Sequence, residues 1–106
     1  MIINGKNINI DILEADTAER YSAALDYVKN AAGEYEKKDG LGDNIRAQCA
    51  VIYKFFDIIL GDGEGEKLFD GKKSLAVCLD VYEDFITQAS DMCKHYTDKI
   101  KKAAKK

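Results

Sequence analysis

No proline occurs anywhere in the 106 residues, although average usage near 5% would supply about five. Proline ends or kinks helices because it lacks an N–H and clashes with the preceding turn, so its absence permits long unbroken helices. The same absence excludes polyproline-type recognition segments. Hydrophobic residues make up 46% and charged residues 33%, enough apolar surface for one small core and too much for a disordered chain. The length fits a single domain over 1–106, with no room for a second.

Three segments use the freedom that the missing proline allows. Asp16-Thr17-Ala18-Glu19 has capping-box spacing, with Asp in place of the usual Ser or Thr. Ala18, Tyr21, Leu25, Val28, Ala32 and Tyr35 follow at alternating steps of three and four and predict a helix over 16–37. That seam is lean, because two of its six positions are alanine. A second helix is expected over 43–60, capped by Asp43 and stopped by Gly61. Its main stripe is Ile45, Cys49, Ile52, Phe56 and Ile59, and a second stripe is Val51, Phe55 and Ile58. The third, over 74–103, starts near Ser74 and carries Leu75, Cys78, Tyr82, Phe85, Ala89, Met92, Tyr96 and Ile100. From Leu75 to Ile100 it spans about 39 Å at 1.5 Å per residue, more than the core of so short a chain needs. Its lysine-rich last turns are expected to project or to lie against another subunit.

Residues 1–12 read as a β-hairpin. Asn4-Gly5 is the strongest two-residue turn signal, since a type I′ turn needs positive φ at both central positions. That turn pairs Ile3 with Lys6 and Met1 with Ile8, and the second strand is expected to run on to Ile12. Alternation then places Ile8, Ile10 and Ile12 on one face, with a strand edge free for pairing between copies. The expected class is therefore mainly α: an N-terminal hairpin followed by three principal antiparallel helices, a small α+β domain.

Charge is unevenly spread. Residues 94–106 hold six lysines against Asp98, +5, while residues 1–93 hold ten basic and eighteen acidic side chains, −8. An acidic body argues against a nucleic-acid partner, which calls for a basic face. The longest apolar stretch, Val51 to Leu60, is half of what a membrane span requires and contains Lys54 and Asp57. The opening Met-Ile-Ile-Asn-Gly-Lys lacks the basic and apolar blocks of a secretory signal. Cys49, Cys78 and Cys93 form an odd set without CxxC spacing and read as small buried hydrophobes in a reducing cytoplasm.

The pattern gives no support for catalysis. His95 is the sole histidine, on the polar side of a lysine-rich helix. The acidic loop Asp62-Gly63-Glu64-Gly65-Glu66 fails as a calcium loop, because Lys67 and Lys73 stand where glycine and glutamate are needed. Asp80, Glu83 and Asp84 fit a solvated helix face better than acid–base work. No enzyme, cofactor or metal site is expected. What remains is binding surface: Val51, Phe55 and Ile58, with Leu68-Phe69 in the following loop on one helical turn, form the best candidate for an exposed apolar patch. The competing reading has the hairpin, loop and first helix cover that patch completely.

The opening IINGKNINIDILEADTAERY and the block NIRAQCAVIYKFFDIILGDGEGEKLFDGKKSLAVCLDVYEDFI resemble short uncharacterised prophage proteins of Gram-positive bacteria. These are encoded in the tail-morphogenesis region, and some look like tail assembly chaperones. The resemblance implies a cytoplasmic, homo-oligomeric protein that binds the helical tape-measure protein or tail-tube subunits. In that setting Val51, Phe55, Ile58, Leu68 and Phe69 would meet the client, and Ile8, Ile10 and Ile12 would pair between copies. Two other roles suit a small acidic phage protein: an inhibitor or trigger of a bacterial defence system, and a structural tail completion or connector subunit.

Overall fold

The computed structural model describes residues 1–34 and 40–105. Strands β1 (Ile2–Ile3) and β2 (Lys6–Asn7) form the hairpin, followed by helices α1 (Ala15–Glu34), α2 (Leu41–Leu60), α3 (Glu64–Leu68) and α4 (Leu75–Ala104). The expected class holds: mainly α behind an N-terminal hairpin. Residues 35–37 of the first expected helix, Tyr35 among them, lie outside the described residues.

The hairpin has the expected register, Ile3 opposite Lys6 and Ile2 opposite Asn7. Asn4 and Gly5 have φ of 51° and 74°, as a type I′ turn requires. Met1 and Ile8 exchange backbone bonds of 3.1 and 2.7 Å. The second strand does not reach Ile12. Strand pairing runs only to Asn7, opposite Ile2, and the chain turns at Asp11, whose Oδ1 accepts the Leu13 N–H at 3.0 Å. Ile12 is buried, and Ile8 and Ile10 pack against the core. Alternation thus places these three correctly, but as anchors of the hairpin.

Helix α1 starts one residue before the expected cap. Glu14 rather than Asp16 caps it, accepting the N–H groups of Asp16 and Thr17 at 3.2 and 3.0 Å and the Thr17 hydroxyl at 2.9 Å. Thr17 in turn accepts from Arg20, whose Nε donates to the Ile59 carbonyl at 3.2 Å. Arg20 therefore serves an end carbonyl of α2, which has no basic residue of its own in its last turn. The buried face of α1 centres on Thr17 and Ala24, one residue off the expected seam. Helix α2 begins at Leu41 with Gly40 as N-cap, and Asp43 instead pairs with Arg46 at 3.2 Å.

Phe55 and Phe56 are both fully buried and lie edge-on to each other with centroids 5.0 Å apart. Tyr21, Tyr82 and Phe85 complete the cluster around Phe55, at 6.3, 4.9 and 5.8 Å. The pairs Arg20–Ile59 and Tyr21–Phe55 show α1 running opposite to α2. Phe55–Tyr82 and Phe56–Phe85, with Cys49 beside Cys78, show α2 and α4 running in the same sense. This corrects the fully antiparallel expectation. Residues 61–74 return the chain along α2, so that Phe69 stacks on Tyr53 at 5.0 Å and the Lys72 carbonyl accepts from the Tyr53 hydroxyl at 2.5 Å.

Ser74 caps α4 as expected, accepting the Val77 N–H at 3.4 Å. Its thirty residues span about 45 Å. The seam is buried at Cys78, Phe85 and Ala89 and half-buried at Met92, and every described residue from Cys93 onward is exposed. The last three turns stand clear of the body as an overhang, and the molecule is 60 Å long with a radius of gyration of 15.8 Å, where a compact chain of this size has roughly 13 Å.

Candidate functional site

A groove of about 330 Å³ opens where α1, α2 and the start of α4 meet. Val28, Ala31 and Ala32 of α1 form one wall, Gln48, Val51 and Ile52 of α2 the floor, and Leu75 and Leu79 of α4 the other wall. Its origin is visible in the sequence of α1. Two consecutive alanines stand where larger side chains would close the gap between the helix walls. Leu79 remains 43% exposed, a large apolar side chain on the rim.

No lining residue is an acid, base or nucleophile, and Gln48 alone carries a polar side-chain group. The groove offers apolar burial along helix-walled sides and no means of proton transfer or ion coordination. Among the described residues no cluster of three or more His, Cys, Asp or Glu is placed to hold a metal ion. In the acidic loop the nearby carboxylate has a structural role: Asp57 Oδ1 accepts the Gly65 N–H at 2.7 Å. His95 lies edge-on to Tyr96 at 5.1 Å on the exposed overhang.

The structure separates the residues that the sequence grouped. Phe55 is 0% exposed, and Leu68 and Phe69 are also buried, so none of these three can meet a partner while the domain stays folded. The correction has a simple cause. Phe55 points toward Tyr21 and Tyr82 because both α1 and α4 pack on α2, while the loop after α3 presses Phe69 onto Tyr53 and Phe56, and Leu68 is buried in the same core. The hairpin holds that segment down, for Asn4 donates to the Leu68 carbonyl at 2.8 Å, and Lys6 donates to the Lys67 carbonyl and pairs with Asp70 at 2.6 Å. Ile58 is half-buried against the core. Only Val51 of the five lines the groove.

Sequence reading misses Leu75 and Leu79 as site residues when α4 is given a single stripe. A second runs through Leu75, Leu79, Tyr82 and Ile86 at three-four spacing, and that was the available signal. Burial pushes the hydroxyls of Tyr21 and Tyr82 above their ordinary range; both rings pack on Phe55 in the core and not in the groove lining. The Cys78 thiol is pushed up to about 12 by burial, with the neighbouring Cys49 adding to the effect. Cys93, by contrast, is exposed on the overhang, which corrects the expectation of three buried thiols.

Residues 4–106 match the profile of the Family of unknown function (DUF6673). The chain belongs to that family. The match covers both the hairpin turn and the overhang, so the groove and its surroundings lie wholly within the DUF6673 region. No curated protein and no solved structure matches the chain. Among the described residues no helix is long and apolar enough to cross a membrane.

Proposed function

We propose that this DUF6673 chain is a non-enzymatic binding protein that takes an amphipathic helix of a protein partner into the groove between α1, α2 and α4. The observation that carries the reading is the groove itself: helix-walled, apolar, open, and rimmed by the exposed Leu79. Helix-in-groove recognition needs such a trough and a partner with apolar anchors at helical spacing. The resemblance to tail assembly chaperones supplies a client of that kind, the long helical tape-measure protein, which a small helical chaperone would keep soluble. Val51 and Leu79 are the contact residues, in place of Phe55, Leu68 and Phe69.

Co-expression with a tape-measure protein tests this reading. Soluble client should be recovered with the wild-type chain and lost with Leu79→Lys, which leaves the core intact and places a charge on the rim. Equal capture by both chains would refute the groove as the site. Detection of the chain in purified virions would favour a structural tail part instead.

A further inference from the structure

Two reactive groups in the core take no part in lining the groove. Cys49 and Cys78 are both 0% exposed, and they stand on α2 and α4, the two helices that run in the same sense. The aromatic layer two turns further on fixes their level. Phe56 and Phe85 meet with centroids 5.3 Å apart, and Cys49 and Cys78 each precede that phenylalanine by seven residues. Ile52 and Val81, both buried, stand at the matching step between the two levels. Helices packed side by side and running alike keep equal steps level, so the contact at Phe56 and Phe85 carries back to the thiols. The Cys78 thiol lies beside Cys49, and Tyr53, one turn after Cys49, is close to both.

A facing pair of thiols has a chemistry that a pair of alanines or valines lacks. A disulfide needs Cβ atoms about 4 Å apart, and level core positions of two adjacent helices approach that spacing where the side chains are small. Cysteine is smaller than Ile52, Phe56 and Ile59, the other buried members of the same α2 stripe. The chain between the two sulfurs passes out through residues 61–74 and returns, so a bond between them would close a loop across 29 positions of the sequence.

We propose that Cys49 and Cys78 are a redox latch, in which oxidation joins them in a disulfide that ties α2 to α4 beside the groove. Gln48 and Leu79, their chain neighbours, line the floor and one wall, so the bond fixes the spacing of floor and wall. The oxidant is a small-molecule disulfide of the glutathione type. One cysteine, as thiolate, attacks a sulfur of the oxidant; that S–S bond breaks, a mixed disulfide forms and one glutathione leaves. The second cysteine gives up its proton and attacks the protein-side sulfur of the mixed disulfide, and the second glutathione leaves. Two protein thiols are oxidised, one disulfide is reduced to two thiols, and the two cysteine protons end on the glutathiones. Because neither sulfur is exposed, the first attack waits until α4 lifts from α2, and the finished bond prevents that lifting. Cys93 cannot replace either partner, since it lies on the exposed overhang, fifteen residues or about 22 Å along α4 from Cys78.

The test equilibrates the full-length Cys93→Ser chain in glutathione redox buffers, with and without urea, and quenches it with acid. Mass spectrometry of unreduced peptides then counts the Cys49–Cys78 disulfide, the mixed disulfide and the free thiols. Closing a loop of this length restricts the unfolded chain enough to shift the folding equilibrium about a hundredfold or more. By reciprocity the folded chain favours the bond over the unfolded chain by the same factor. Half-oxidation in native buffer should therefore occur at a ratio of squared glutathione to glutathione disulfide about a hundredfold or more higher than in urea. The oxidised chain should unfold at higher urea than the reduced one, and dithiothreitol should abolish the difference. Cys49→Ala or Cys78→Ala in the same background should show no difference between the two buffers. If Cys93→Ser does not fold, the wild-type chain with Cys93 blocked by a maleimide replaces it.

A pair that needs equally or more oxidising conditions in native buffer than in urea would overturn the proposal. So would a reaction that stops at the mixed disulfide, or an oxidised chain that unfolds at lower urea than the reduced one. Each of these results would leave the two thiols as apolar filling.

Discussion

At the scale of single residues, Gly65 is the position where the backbone tolerates least. A Cβ there would press into the Tyr53 carbonyl and stand 3.0 Å from Asp57 Oδ1, and neither the backbone of α2 nor a carboxylate held by the Gly65 N–H can retreat freely. Gly65→Ala should cost about 2–4 kcal/mol by urea unfolding, in the range of other overpacking and network-breaking changes. The thiols give a second reading of the same core. Under native conditions a maleimide should modify Cys93 alone, while Cys49 and Cys78 should react only after unfolding, since Cys78 is buried with its pKa pushed up to about 12; mass spectrometry counts the adducts. Phe55 and Phe56 show where sequence alone stopped. Periodicity assigns them to different faces, but α2 is covered on both, so both are 0% exposed. Phe55→Asp and Phe56→Asp should therefore abolish folding alike, each burying an unpaired charge at several kcal/mol or more, as loss of the helical signal would report.

At the scale of elements, most boundaries were legible, and the misses have local causes. Asn4-Gly5, Gly61 and Ser74 act where their chemistry places them. At the start of α1 two carboxylates compete. Glu14 wins the cap over Asp16 because it reaches Thr17 through both backbone and hydroxyl. Those bonds from Thr17, followed by the one from Asp16, hold the Glu14 carboxyl below its ordinary value near 4.5. A carboxyl with a lowered folded-state pKa stabilises the fold above its unfolded value and loses that contribution as pH falls through the folded one. Glu14→Gln should thus flatten the acid side of the stability curve below about pH 4.5 while leaving its neutral side with the same slope, measured by thermal unfolding across pH. The direction of α4 relative to α2 was not legible, because no local signal records that residues 61–74 double back over Tyr53. Periodicity specifies which face of a helix is apolar and is silent about how the next helix approaches it.

At the scale of the whole molecule, the missing prolines lead to a helix that outgrows its body. The sequence pattern already marked the third helix as too long for the core, and the exposed run from Cys93 onward bears this out. Hydrogen exchange should divide α4 accordingly: slow amides from Cys78 to Ala89 and fast ones beyond Tyr96, because helical turns without tertiary packing open readily. The groove was less legible than the overhang, since it depends on small side chains of α1 facing α4 across α2. A stripe search rewards large apolar residues and passes over Ala31 and Ala32, whose contribution is the space they leave. The grouping of Val51, Phe55, Ile58, Leu68 and Phe69 as a contact patch follows that same rule, and Phe55, Leu68 and Phe69 are core.

Methyl NMR reads directly where a partner touches the molecule. Titrated with purified client, the chain should show shifts at Val28, Val51, Leu75 and Leu79, with Ile8, Ile10 and Ile12 unmoved. Shifts confined to those three isoleucines, or no shift at the groove when client binds, would contradict the groove as the contact site.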